Sequence, residues 1–97
     1  MKLYRGDRTI DGIKVSVDDR PLDPRYDIRA LTKNGFEWGF EGPEPAQLAL
    51  AILADHLGKA EPALARYQDF MRRVVAELGN EWELTSDDIA AVLDGAV

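Results

Sequence analysis

Thirteen consecutive residues, Pro45 to Leu57 (PAQLALAILADHL), contain only three polar side chains, Gln47, Asp55 and His56. The run is too long for a strand and too short and broken to span a bilayer, which leaves a helix in a protein interior. At about 100° per residue, Ala46, Ala49, Leu50, Leu53 and Leu57 share one stripe. Leu48 and Ile52 lie off that stripe and form a second apolar edge, with Gln47, Ala51 and Asp55 in the remaining, wet sector. A helix with two apolar edges needs two covers. One is a sheet. The other is the helix containing Tyr67 and Met71, with a second copy of the chain, docked through Leu48 and Ile52, as the rival. Pro45 suits the first helical position, Gln47 can fold back as half of a capping box, and Gly58 ends the helix.

The sheet is expected before this helix. Asp11-Gly12 between Ile10 and Ile13 signals a tight hairpin, with Leu3 to Arg8 as its first strand. In the second strand Ile13, Val15 and Val17 alternate with Lys14, Ser16 and Asp18, one face in and one face wet. Pro21 and Pro24 make residues 18–24 a loop. Tyr26 to Leu31 reads as a third strand. After a turn at Lys33-Asn34-Gly35, Phe36 to Phe40 reads as a fourth, its Phe36, Trp38 and Phe40 on the core side and Glu37 and Glu41 outside. Beyond the first helix, Glu61-Pro62 opens a second, with Leu64, Tyr67, Met71, Val74, Val75 and Leu78 at helical spacing and Gly79-Asn80 closing it. Asp69 and Arg73, four apart, form an outer ion pair. Trp82 and Leu84 alternate with Glu81 and Glu83, the pattern of a fifth strand. Thr85 or Ser86 caps a last helix through Leu93, with Asp87 and Asp88 in its first turn. The expected architecture is α+β: a four- or five-stranded antiparallel meander, two longer helices and a short C-terminal one. It forms a single domain over residues 1–97, with the meander in 1–42 and the helices in 43–97.

Charge is divided unequally between these parts. Residues 1–42 carry eight Lys/Arg and eight Asp/Glu, whereas residues 43–97 carry four and ten, so the second part accounts for the whole net charge of −6. Glu77, Glu81, Glu83, Asp87, Asp88 and Asp94 follow one another with no basic residue between them. Such a field repels nucleic-acid backbones and attracts basic proteins. The N-terminus has charges where a signal peptide needs apolar residues, and no segment suits a membrane, so a cytoplasmic protein is expected.

Most catalytic chemistry lacks its parts. The chain has no cysteine, which excludes thiolate catalysis and Cys-based zinc sites. His56 is the only histidine, at a helix end with no second ligand at metal spacing. The two serines, Ser16 and Ser86, are read as a strand residue and a helix cap, so no Ser-His-Asp arrangement assembles. Asp18, Asp19 and Asp23 lack the alternate acids and central glycine of a calcium loop and are read as turn residues. The glycines form no phosphate-binding fingerprint. Neither a catalytic residue, a metal nor a cofactor is therefore assigned. Arg5, Arg8 and Arg29 lie in or beside strands, and an anion or nucleotide site on the sheet is the alternative reading they offer.

Three stretches, YRGDRTIDG, RPLDPR and above all GFEWGFEGPEPAQLALAILAD, resemble a family of short uncharacterised proteins, a domain of unknown function from bacteria, archaea, phages and other mobile elements. The resemblance covers residues 3–90, with Tyr4, Arg5, Gly6, Trp38, Gly39, Pro45 and Gln47 as its hallmarks. It implies no reaction. It tilts the expectation toward a non-enzymatic module in which the acidic residues 77–94 occupy a basic, nucleic-acid-handling surface of a host protein, as an anti-defence inhibitor would.

Overall fold

A computed structural model describes residues 1–95. Strands β1 (Leu3–Thr9), β2 (Gly12–Val17) and β3 (Arg20–Pro21) are followed by helices α1 (Pro43–Leu57) and α2 (Ala60–Arg73). A 3-10 turn (Val75–Glu77), strand β4 (Glu81–Thr85) and helix α3 (Ser86–Leu93) complete the order. The sheet is four-stranded and antiparallel in the order β3-β2-β1-β4. The expected α+β class holds, and so does the count of two long helices and a short C-terminal one.

The membership of the sheet differs from the sequence reading. Residues 26–31 and 36–40 form no strand, Arg20–Pro21 within the expected loop does, and the expected strand around Trp82 forms and pairs with β1 from the other end of the chain. Two local causes keep residues 23–42 out of the ladder, whose last bond runs from Leu22 N–H to Val15 O (3.1 Å). Arg25 adopts a left-handed backbone (φ 60°). The backbone groups a ladder would use are also taken by one side chain, Gln47. Its Oε1 accepts from Leu31 N–H (2.7 Å), and its Nε2 donates to the carbonyls of Pro24 (2.7 Å) and Arg29 (3.0 Å). In the aromatic stretch, Gly39 (φ 88°) ends the extended run, and its N–H donates to Val75 O (3.0 Å) rather than to a strand. Of the three alternating aromatics only Trp38 is fully buried, while Phe40 is about half exposed.

This loop is the missing cover of α1. Every residue from Pro45 to Ala54 is buried, including Gln47 and Ala51 in the sector expected to be wet. Gln47 is therefore an interior clamp and not a capping residue; α1 has no side-chain cap, and Gly42 precedes it. Thr32 adds a tie by donating its hydroxyl to Glu44 Oε2 (2.7 Å) at the start of the helix. The contact with α2 supplies the second layer, through a stripe that includes Tyr67, Phe70 and Met71. Leu48 and Ile52 have no exposed surface within one chain, so they offer a second copy nothing to dock on. At its far end α1 closes on Gly58 in the left-handed conformation (φ 72°), whose N–H donates to Ala54 O.

Helix α2 stops at Arg73, a turn earlier than its apolar spacing predicts. Val74 leaves helical geometry (φ −122°) and Val75 starts the 3-10 turn, where its carbonyl accepts from both Leu78 N–H (3.3 Å) and Gly39 N–H (3.0 Å). Asp69 and Arg73 do pair, at 3.3 Å. Helix α3 has a complete capping box: Asp88 N–H donates to Thr85 Oγ1 (3.1 Å) and Thr85 N–H to Asp88 Oδ2 (2.9 Å).

Candidate functional site

Strand alternation divides the sheet into two chemically different faces. Tyr4, Gly6, Arg8, Val15, Val17, Trp82 and Leu84 share the face turned to the helices and the loop. Gly6 is needed there because a Cβ at that position would overlap the Trp82 indole. The opposite face carries Arg5, Asp7, Lys14, Ser16, Glu81 and Glu83, which line a shallow, open depression of about 410 Å³ with Gly6 and Trp82. The depression is amphoteric. Its clearest pairing is Arg5 Nε to Glu83 Oε2 at 3.5 Å, with both side chains more than half exposed. A pair so solvated contributes little to stability.

The six acids singled out in the sequence are not one cluster. Glu81 and Glu83 project side by side from the open face of β4. Glu77 lies before them in the 3-10 turn, and Asp87 is in the first turn of α3. Asp94 caps the far end of α3, about 10 Å of helix from Asp87. Asp88 is committed to the capping box. Glu77, Glu81, Asp87 and Asp94 are exposed and have no ion-pair partner among the described residues.

The three arginines of the alternative site do not converge. Arg5 is on the open face. Arg8 is on the opposite one, where it closes the loop over the end of the sheet: it donates to Glu37 Oε1 (2.7 Å), Trp38 O (2.6 Å) and Asn80 Oδ1 (2.8 Å). Its guanidinium also lies 4.7 Å from the centre of the Trp38 ring. Arg29 sits in the loop, with its carbonyl held by Gln47. An anion has no common point at which to meet all three. The carboxylates of the 18–24 segment do turn chemistry, as their sequence suggests. Asp18 and Asp19 take left-handed backbone angles, Asp18 Oδ1 accepts from Leu3 N–H, and Asp23 Oδ1 accepts from Arg25 N–H. Among the described residues no group of three or more His, Asp or Glu is placed to hold a metal ion.

A polar cluster that the sequence reading missed lies between β1 and α1. One oxygen of Asp55, Oδ2, accepts from both the Tyr4 hydroxyl (2.6 Å) and Lys2 Nζ (3.0 Å). Partial burial opposes charge on Asp55, but the hydrogen bonds from Tyr4 and Lys2, with the charges of Lys2 and Arg20, outweigh it and hold the carboxyl below its ordinary value. Burial, then the bond to Asp55 and the charges of Asp55 and Asp18, push the Tyr4 hydroxyl far above its ordinary value. At neutral pH the proton thus stays on Tyr4 and the charge on Asp55, which suits a fixed strut better than a proton-transfer pair. Asp55 also opens onto a cleft of about 350 Å³ lined by Arg20, Leu22, Asp23 and Arg25. The sequence signal was an acid in the helix sector assigned to solvent; what it could not give was the strand that covers that sector.

The model of a family of unknown function, DUF6166, matches residues 4–95. The chain belongs to that family. The matched span includes both clamps of the loop, Arg8 and Gln47, the Tyr4–Asp55 bond and the whole of β4. No curated protein and no solved structure matches the chain. No helix among the described residues is long and apolar enough to cross a membrane.

Proposed function

We propose that this DUF6166 protein is a non-enzymatic protein-binding module that uses its acidic side, centred on Glu81 and Glu83, to engage a basic surface of a nucleic-acid-handling protein. The observation that carries this reading is the placement of those two carboxylates: adjacent, exposed, on the uncovered face of the sheet, with Glu77 and Asp87 flanking them in sequence and unpaired among the described residues. Carboxylates held on a rigid strand can occupy the positions at which a basic partner meets phosphates, and their field speeds the encounter. Asp88 is left out of the contact surface because its oxygen is already used by the capping box.

The test is capture of partners from native lysate with the wild-type chain and with the E81K/E83K double variant, washed at rising salt, with retained proteins identified by mass spectrometry. The reading expects a basic protein that is retained at low salt and released at high salt. The reversed charges should lower its affinity by roughly tenfold or more. Retention that is insensitive to both salt and charge reversal sinks the acidic-surface reading.

A further inference from the structure

The strand that carries Glu81 and Glu83 is also an open edge of the sheet, and the two edges are unlike. At one end, β3 is two residues long and its Pro21 has no N–H to offer, which blunts it against further pairing. At the other, β4 has a full five residues, and its register fixes which backbone groups point outward. Arg8 N–H donates to Asn80 O and Ser86 N–H to Lys2 O, so the even-numbered residues of β4 bond to β1. The N–H and C=O of the odd-numbered residues point away from it. Two of these positions are already used: Gly79 O accepts from Trp38 Nε1 (2.6 Å), and Thr85 N–H donates to Asp88. Between these stops Glu81 and Glu83 leave their N–H and C=O without a partner among the described residues. They are an unpaired ladder two residues wide, with a carboxylate at each rung.

We infer that this window accepts an extended basic segment of the partner protein as a fifth strand, by backbone pairing to Glu81 and Glu83. The inference rests on the acidic-surface reading and gives it a geometry. The charges select the occupant. A second copy of β4, paired edge to edge in the same register, would set Glu81 and Glu83 against Glu83 and Glu81, and like charges directly opposite repel. A strand with Lys or Arg opposite each glutamate meets opposite charge at both rungs on the open face, competing at Glu83 with the solvated 3.5 Å contact to Arg5. The residue between them, opposite Trp82, lies on the other face and is best apolar. The window therefore reads a short segment of the pattern basic-apolar-basic, with main-chain bonds supplying attachment and the carboxylates supplying choice.

The experiment uses the full-length, isotope-labelled chain and three synthetic peptides of the sequence Lys-Val-Lys-Val-Lys, titrated to millimolar concentration and followed by amide chemical shifts. One peptide is unmodified, one has its lysine amides N-methylated, and one its valine amides. In the inferred register the lysine amides face β4 and the valine amides face solvent. The unmodified and valine-methylated peptides are expected to bind alike, shifting the amides of Glu81 and Glu83 downfield. Methylated lysine amides should weaken binding by roughly tenfold. Equal binding of both methylated peptides overturns strand addition. If that binding is still lost in E81K/E83K, the acidic surface survives as a side-chain contact alone. Absence of binding by every peptide also overturns strand addition, and the lysate capture then decides the acidic-surface reading separately.

Discussion

The sheet and the loop at residues 23–42 cover the same helix by opposite means. The sheet holds itself together with a ladder of backbone bonds distributed over twenty residues of four strands, and it meets α1 through Tyr4 and its neighbours. The loop has no ladder. It is fastened at a few points, by Gln47 from inside, Arg8 from the rim, Thr32 at the start of α1, and the indole of Trp38 on Gly79. A distributed ladder loses little when one residue changes. A point-fastened loop concentrates its stability in few side chains, and this difference sets where substitutions will be felt.

The largest effect is expected at Trp38. Truncation by Trp38→Ala empties a fully buried site and removes the bond to Gly79, for a loss of about 3–5 kcal/mol in denaturant melts; a loss below about 1 kcal/mol would mean that the loop is not part of the cooperative core. Next comes Gln47→Leu, which keeps volume but strands Leu31 N–H and the carbonyls of Pro24 and Arg29. It should cost about 3 kcal/mol. Hydrogen exchange should show faster exchange confined to residues 24–35, with the β1–β2 amides protected as before; uniform loss across both regions would refute the contrast between them. In the sheet, Gly6→Ala is the exception to tolerance, since the added methyl displaces Trp82, and about 1–3 kcal/mol is expected.

The smallest effect is one of pH, at the strut joining sheet and helix. Asp55 titrates below its ordinary value of 3.8 when folded, so its contribution is full above that pH and is lost as pH falls through the lower folded value. Tyr4 is shifted the other way from 10.0, so its contribution is full below pH 10 and declines as pH rises above it. Asp55→Asn should flatten the acid limb of the stability profile relative to wild type, and Tyr4→Phe the alkaline limb. Unchanged limbs in both variants would show that the strut is not coupled to folding.

The sequence disclosed what periodicity encodes. The β1–β2 hairpin, the heavy burial of α1, the cap at Gly58 and the Thr85–Asp88 start of α3 all follow from spacing and local chemistry. Residues 36–40 misled because alternation is necessary for a strand and not sufficient. Trp38 is buried as alternation requires, but its neighbours turn aside to Arg8 and Val75, and the place in the sheet beside β1 is filled by β4. That pairing joins the two ends of the chain, and no local pattern reports a contact so distant. The same blindness hid Gln47 and Asp55. Both sit in the helix sector that a wheel assigns to water, and only tertiary cover buries Gln47 and partly covers Asp55. The acidic residues were legible as a row but not as a surface, since the helix that separates Asp87 from Asp94 and the capping role of Asp88 depend on geometry.

The two tryptophans of the chain, Trp38 from the loop and Trp82 from the sheet, meet edge to face with ring centres 5.7 Å apart. Two chromophores at that distance and angle exchange excitation, so the junction of the two regions has its own optical signature, an exciton couplet in circular dichroism superposed on the helix bands. Loosening of the loop would extinguish the couplet while the helical signal persisted, whereas global unfolding would remove both together. The molecule thus has a built-in gauge of whether its fastened and its laddered parts come apart in one step or two, readable without any label.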